Sequence, residues 1–286
     1  MSLRLKTGPR CLVVVFVLVL CQMLMPLVAS GAGATSAVRV AKYGPGGERV
    51  LAEKTVDYLW MRDNLAVHGD GQTHYYHQGP VFEGDAWDPA ETQNLKDKGA
   101  VKGTAVADLC TLVGGVSEGD EVVLVAIDGW HARFACDNIA APPAAQGVIA
   151  LCWYCGEGAS EGEKFGTGYP GNDAFNSALQ IVFMTEQPNR DGKHVFGNQD
   201  MRTSLPQTKY QYFYDGQYPS TNGLSGKWIS EVRIYSGGAP ADLVIAPHGN
   251  SEPTKAAGLS PWLATIMGVT GVALVGWYVW ARRKTT

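Results

Sequence analysis

No Gly-x-Ser-x-Gly nucleophile elbow is expected in this chain, and Ser225 in "GLSGK" lacks the flanking pattern. A serine hydrolase therefore has little basis. No run of basic residues lies between the two terminal apolar segments, and the net charge is −4, which argues against nucleic acid as a partner. Cysteine is scarce: six in 286 residues, with Cys11 and Cys21 inside the first apolar segment. The one CxxC, Cys152 to Cys155, is followed by Gly156 rather than His, which excludes c-type haem attachment, and no second CxxC completes a zinc site. Internal repeats are also missing, which removes solenoids and propellers.

The ends of the chain are explicit. Arg4, Lys6 and Arg10 precede "CLVVVFVLVLCQMLMPLV", which stops at the small-residue stretch "ASGAGATS". Basic, apolar and small-residue regions in that order read as an export signal over residues 1–34, with cleavage after Ser30 or Ala34. An uncleaved anchor helix and a lipoprotein signal at Cys21 are the alternatives. From Trp262 to Trp280 no residue is charged. At about 1.5 Å per residue this run spans a hydrocarbon core of about 30 Å, so residues 261–281 read as a transmembrane helix. Trp262 at one end and Trp277, Tyr278 and Trp280 at the other suit the interfaces, and Arg282, Arg283 and Lys284 favour the cytoplasm. The expectation is a single-pass protein of the cell membrane with an extracellular domain over residues 37–236. A Gly/Ala/Pro/Ser stalk over 237–260 and a cytoplasmic tail over 282–286 complete it.

Four cysteines fall in the exported domain: Cys110, Cys136, Cys152 and Cys155. An even number in an oxidising compartment reads as disulfides or buried thiols, with metal binding and redox exchange as other uses. The CxxC lies in "GVIALCWYC", a strand by composition, where i and i+3 face opposite ways.

The domain between is strand-rich. "VRVAKY", a "GPGGE" turn and "RVLAEKTVDYLWM" read as a hairpin. "TAVADLCTLVGGV" places Val106, Leu109, Cys110 and Val113 at i, i+3, i+4 and i+7 before Gly114-Gly115, a helix with its stop. "DEVVLVAIDGW", "HARFACDNI", "GVIALCWYC", "ALQIVFMTE" and "KWISEVRIYS" read as further strands. The predicted class is α+β, mostly β with few short helices.

"GDGQTHYYHQGP" is the least ordinary stretch. Its glycines and Pro80 oppose a helix, so His74 and His77 do not share a helical face. Three readings stand open: a hydrogen-bonded aromatic loop core, a ligand pocket, and a metal site. "KHVFGNQDM" is the second polar-aromatic cluster, read as a loop. If the two segments meet, His74, His77, His194 and Asp200 form a candidate metal set, with Trp60, Tyr75 and Tyr76 as walls and Asn198 as a pocket residue. The aromatic "KYQYFYDGQYPS" offers stacking surface for carbohydrate.

Several of these segments resemble the sulfite-oxidase-like molybdopterin-binding domain. "GTAVADLCTLVGGVSEGDEVVLVAIDGW" is similar to the family's helix, acidic turn and strand closing on Asp-Gly-aromatic. "HARFACDNI" and "GVIALCWYC" are similar to its next strands, and "KWISEVRIY" to its closing Lys-Trp segment. "EKTVDYLWM" is similar to an early strand that leads to the cofactor. The likeness runs from about Thr55 to Tyr235, and the whole chain resembles membrane-anchored surface proteins of archaea and some bacteria. It implies that fold, a molybdopterin cofactor and oxidoreductase chemistry with a redox partner. The family's molybdenum ligand is a cysteine upstream of the helix, yet Thr55 to Ala105 contains none, and "HYYHQGPVF" stands in its place. Imidazole does not replace a soft thiolate. Of the arginines that could hold a pterin phosphate, only Arg133 lies in a matching segment; Arg190 and Arg202 are elsewhere. The expectation is a non-catalytic binding or envelope module. The alternative is an oxidoreductase that holds molybdopterin or another metal through His and Asp ligands.

Overall fold

The computed structural model describes residues 34–159, 166–171 and 174–245. Strand dominates helix, 36% against 16%, so the domain is mostly β with few short helices. The first sheet has five strands in the order β2 (Val50–Asp57), β1 (Ala37–Tyr43), β12 (Ile229–Tyr235), β5 (Glu121–Ala126) and β6 (His131–Ala135). The second runs β8 (Gln180–Met184), β7 (Val148–Glu157), β4 (Leu95–Ala105), β3 (His74–Gln78) and β9 (His194–Phe196). A short ribbon pairs β10 (Phe213–Tyr214) with β11 (Tyr218–Pro219). Two parallel pairings, β1 with β12 and β3 with β9, close connections across most of the domain.

One hydrophobic core joins the sheets. Val122, Leu124 and Ala126 of β5 and Val232 and Ile234 of β12 meet Ile149, Leu151 and Trp153 of β7 and Phe183 of β8. The alternate residues of β5, Val123 and Val125, are buried on the other face with Tyr235. That double burial explains why "EVVLVA" reads as an unbroken apolar run rather than an alternating one. Each such side chain contributes roughly 1.5–3 kcal/mol of transfer free energy. The expected helix is present as α2 (Val106–Thr111), its Leu109 and Cys110 fully buried in the same core.

Three stretches differ from the strand reading. "YLWM" belongs to α1 (Tyr58–Asn64), because the Asp57 carboxylate caps it by accepting from Trp60 N–H at 2.7 Å. "CDNIA" is α3 (Cys136–Ala140), following β6 directly. The supposed loop "KHVFGNQDM" is β9 followed by α4 (Asn198–Ser204). In the other direction, β4 is a long central strand that the sequence hid, since its first half is Lys, Asp and Gly rather than apolar.

The domain edges lie outside the expected limits. Thr35 Oγ1 donates to Ile229 O at 2.9 Å and accepts from Leu179 N–H at 2.7 Å. At the other end Leu243 and Ile245 pack beside Tyr43 and Tyr235 on the outer face of the first sheet. No helix among the described residues is long and apolar enough to cross a membrane. The expected signal peptide, transmembrane helix and tail, and most of the expected stalk, lie outside the described residues.

Candidate functional site: a lysine and tryptophan cavity

The expected site residues separate into structural roles. β3 does pair with β9, with Tyr75 opposite His194 and their rings 5.7 Å apart. The four expected metal ligands nevertheless do not converge, and among the described residues no three His, Cys, Asp or Glu side chains form a metal-holding group. His74 Nδ1 lies 2.9 Å from both carboxylate oxygens of Asp97. His77, three positions on, faces the opposite way and is fully buried between Phe183 and Phe196. Its Nε2 accepts from Phe183 N–H at 3.1 Å, and burial pushes its pKa well down, so it is a neutral packing group. His194 Nδ1 meets Thr185 O at 2.9 Å. Asp200 faces Glu91; burial, then the Asp200 charge, pushes Glu91 up to about 8, so that pair holds a proton.

The remaining candidates are also accounted for. Trp60 lies under Lys54 Nζ, 4.2 Å from the ring centre. Tyr76 faces Lys193 at 4.9 Å. Asn198 is buried, donating to Gly79 O and accepting from Thr221 N–H, which ties α4 to the loop after β3. Arg133 lines a small cavity of about 140 Å³ beside Lys209 and Tyr210. In the aromatic segment Tyr210 is buried on Glu121, and Tyr214 stands against the exposed Phe82. Ser117, which sits in a Gly-x-Ser-x-Gly spelling (115–119), lies between α2 and β5. That is helix to strand, the reverse of a nucleophile elbow. The similar spelling at 158–162 lies partly outside the described residues.

All four cysteines are buried and free. The expected disulfides are absent, leaving the buried-thiol reading. Burial pushes Cys110 up to about 12 and Cys155 up to about 11, with Cys152 also well above the ordinary range. Protonated thiols are poor ligands and poor nucleophiles.

One concavity was not anticipated. Residues 96–98, 128–130 and 222–228, with Tyr212, surround about 630 Å³, within the usual range for small-molecule sites. β4 supplies Lys96 and Lys98, two apart and so on one face. The β5–β6 turn supplies Asp128 and Trp130, with the Asp128 carboxylate accepting from Trp130 N–H at 2.9 Å. The short 3-10 turn Thr221–Leu224 supplies Asn222, and the lead into β12 supplies Lys227 and Trp228. Tyr212 completes the wall.

Glycines let these walls close up. A Cβ on Gly226 would come within 2.2 Å of the Trp130 ring, and one on Gly223 within 2.0 Å of the Tyr212 ring. Trp130 Nε1 donates to Gly223 O at 3.1 Å, which locks the indole. Trp228 is held at φ 57°, a conformation that costs a non-glycine residue of order 1–3 kcal/mol. Its Nε1 donates to Asn176 O at 2.8 Å, which helps hold it there.

Lys98 dominates the electrostatics. Only 4% of it is exposed, and Nζ donates to Asn222 Oδ1 at 2.6 Å. Burial, then the Lys227 charge, pulls its pKa down to about 7, with Asp97 partly opposing them. Burial lowers Lys227 as well. Three lysines therefore converge on one cavity, and the most buried of them meets an amide oxygen. An arrangement of that kind is stabilised by an incoming negative charge.

No protein-family model matches the chain, and no curated protein matches it. The site must be read from its own chemistry.

Proposed function

We propose that the protein is a membrane-anchored surface module whose extracytoplasmic domain has a sulfite-oxidase-like fold and binds a small anionic ligand in the lysine and tryptophan cavity. The observation that carries this reading is Lys98, a buried amine facing the cavity beside Lys96 and Lys227. Two of the segments that resemble the molybdopterin-binding family, Asp128 to Trp130 and Lys227-Trp228, line this cavity, which supports a ligand-binding role for it.

The donor set suits the anionic and aromatic parts of a pterin phosphate and does not suit molybdenum. None of the four cysteines lines the cavity, and all are buried and protonated. His74 lies between Asp97 and, at 3.7 Å, Glu157, but among the described residues no three such side chains form a metal-holding group. We therefore derive no oxygen-transfer step, and the function is binding. Anchoring at the membrane surface leaves an envelope protein or a soluble anion as the partner.

Tryptophan emission of the purified protein should change saturably as inorganic phosphate or a nucleoside monophosphate is added, beyond any change with potassium chloride at equal ionic strength. Lys98→Met should weaken that response about tenfold or more, roughly 1.4 kcal/mol. A response identical to that of chloride would reject the anion reading.

A further inference from the structure

Lys98 has a second capacity that simple charge pairing does not use. Its nitrogen is anchored by a single hydrogen bond at 2.6 Å, to the amide oxygen of Asn222. Its stem is buried, so the amine cannot swing away into water. Lys96 and Lys227 share the cavity wall, and a nearby cation disfavours a second ammonium. Such surroundings convert a lysine from a counter-ion into a nucleophile.

We propose that Lys98 captures a small carbonyl compound bearing a carboxylate, such as a 2-oxo acid, as an imine inside the lysine and tryptophan cavity.

This rests on the anion-binding reading and deepens it. Lys227 and Lys96 hold the carboxylate, while the neutral Lys98 amine donates one N–H to Asn222 Oδ1 and directs its lone pair at the carbonyl carbon. A C–N bond forms and the C=O bond opens to a carbinolamine. Loss of water then breaks the C–O bond and makes C=N. The departing oxygen leaves with both protons that the amine nitrogen gives up, so no oxidant or reductant takes part. With burial holding Lys98 near 7, a large fraction of the amine is neutral at physiological pH. The partly enclosed cavity limits the water available to reverse the condensation.

The test is reductive trapping of the full protein with pyruvate and sodium cyanoborohydride, followed by peptide mass mapping. Lactate, which has the carboxylate but no ketone, serves as the non-condensing probe, and tryptophan emission reports occupancy by either. The expected result is an adduct on Lys98 in clear excess over Lys96 and Lys227, suppressed by added lactate and lost in Lys98→Arg. Asn222→Ala should slow trapping several-fold. Saturable binding of pyruvate and lactate with no Lys98 adduct overturns the imine and leaves the anion reading standing. Binding of neither overturns both. Adducts spread evenly over the surface lysines likewise overturn the proposal. If Lys98→Arg fails to fold, the lactate competition on the native protein still decides it.

Discussion

At the scale of single residues, Lys98 is a buried cation held at a cost. Its pKa is about 10.5 in an ordinary lysine and about 7 in the fold. Between those values the unfolded chain binds more protons, so stability rises with pH across the window and the full cost is present below it. Lys98→Met should therefore stabilise the protein, and by more at about pH 6 than at about pH 10, where the native amine is already neutral. Urea midpoints of the two proteins at both pH values check this; an equal gain at the two would mean that Lys98 is not a strained cation. A stabilising variant that loses ligand is the usual signature of a functional group held at a cost. No local pattern marks this residue, because a lysine in "LKDKGA" looks solvated. The "HYYH" histidines, open to structural, pocket and metal readings, sit in packing and pairing roles: His77 is a packing group and His74 is tied to Asp97.

At the scale of elements, the cavity depends on two loops being able to lie flat against aromatic rings. Gly226 has no backbone requirement for glycine; its constraint is the Trp130 ring, which an added methyl would meet at 2.2 Å. Gly226→Ala should cost about 1–3 kcal/mol through overpacking and displace the indole. Its emission spectrum and its phosphate response should both shift, whereas an unaltered response would show that Trp130 is not a working wall. Elements with unbroken apolar or periodic patterns, β5, β7, β8, β12 and α2, were legible in advance because burial dictates residue type. β4 was not, since its polar half faces the cavity. The helices α1, α3 and α4 continue directly from a strand or strand-like stretch without a periodic apolar run and a Gly-Gly stop like that of α2.

At the scale of the molecule, the folded unit is wider than composition suggested. Thr35 stitches β8 to β12 from one end, and residues 239–245 cover the outer face of the first sheet from the other. A fragment spanning residues 34–245 should be more stable than one spanning 37–236 by about 1–3 kcal/mol, from two hydrogen bonds and the buried apolar contacts. Chemical denaturation of the two fragments measures this directly. Equal midpoints would mean that the flanking residues add nothing.

What the sequence determined by itself were properties carried by local pattern: apolar runs at the termini, a strand-rich composition, the helix before Gly114 and the lack of a thiolate upstream of it. Tertiary structure alone decided where chemistry collects. Lys96, Trp130 and the Asn222–Lys227 segment come from three separate stretches, and only sheet pairing and close glycine packing make them neighbours. The same burial that makes a strand readable depends on neighbours close in sequence. The burial that perturbs Lys98 comes from residues more than a hundred positions away, and no local pattern records it.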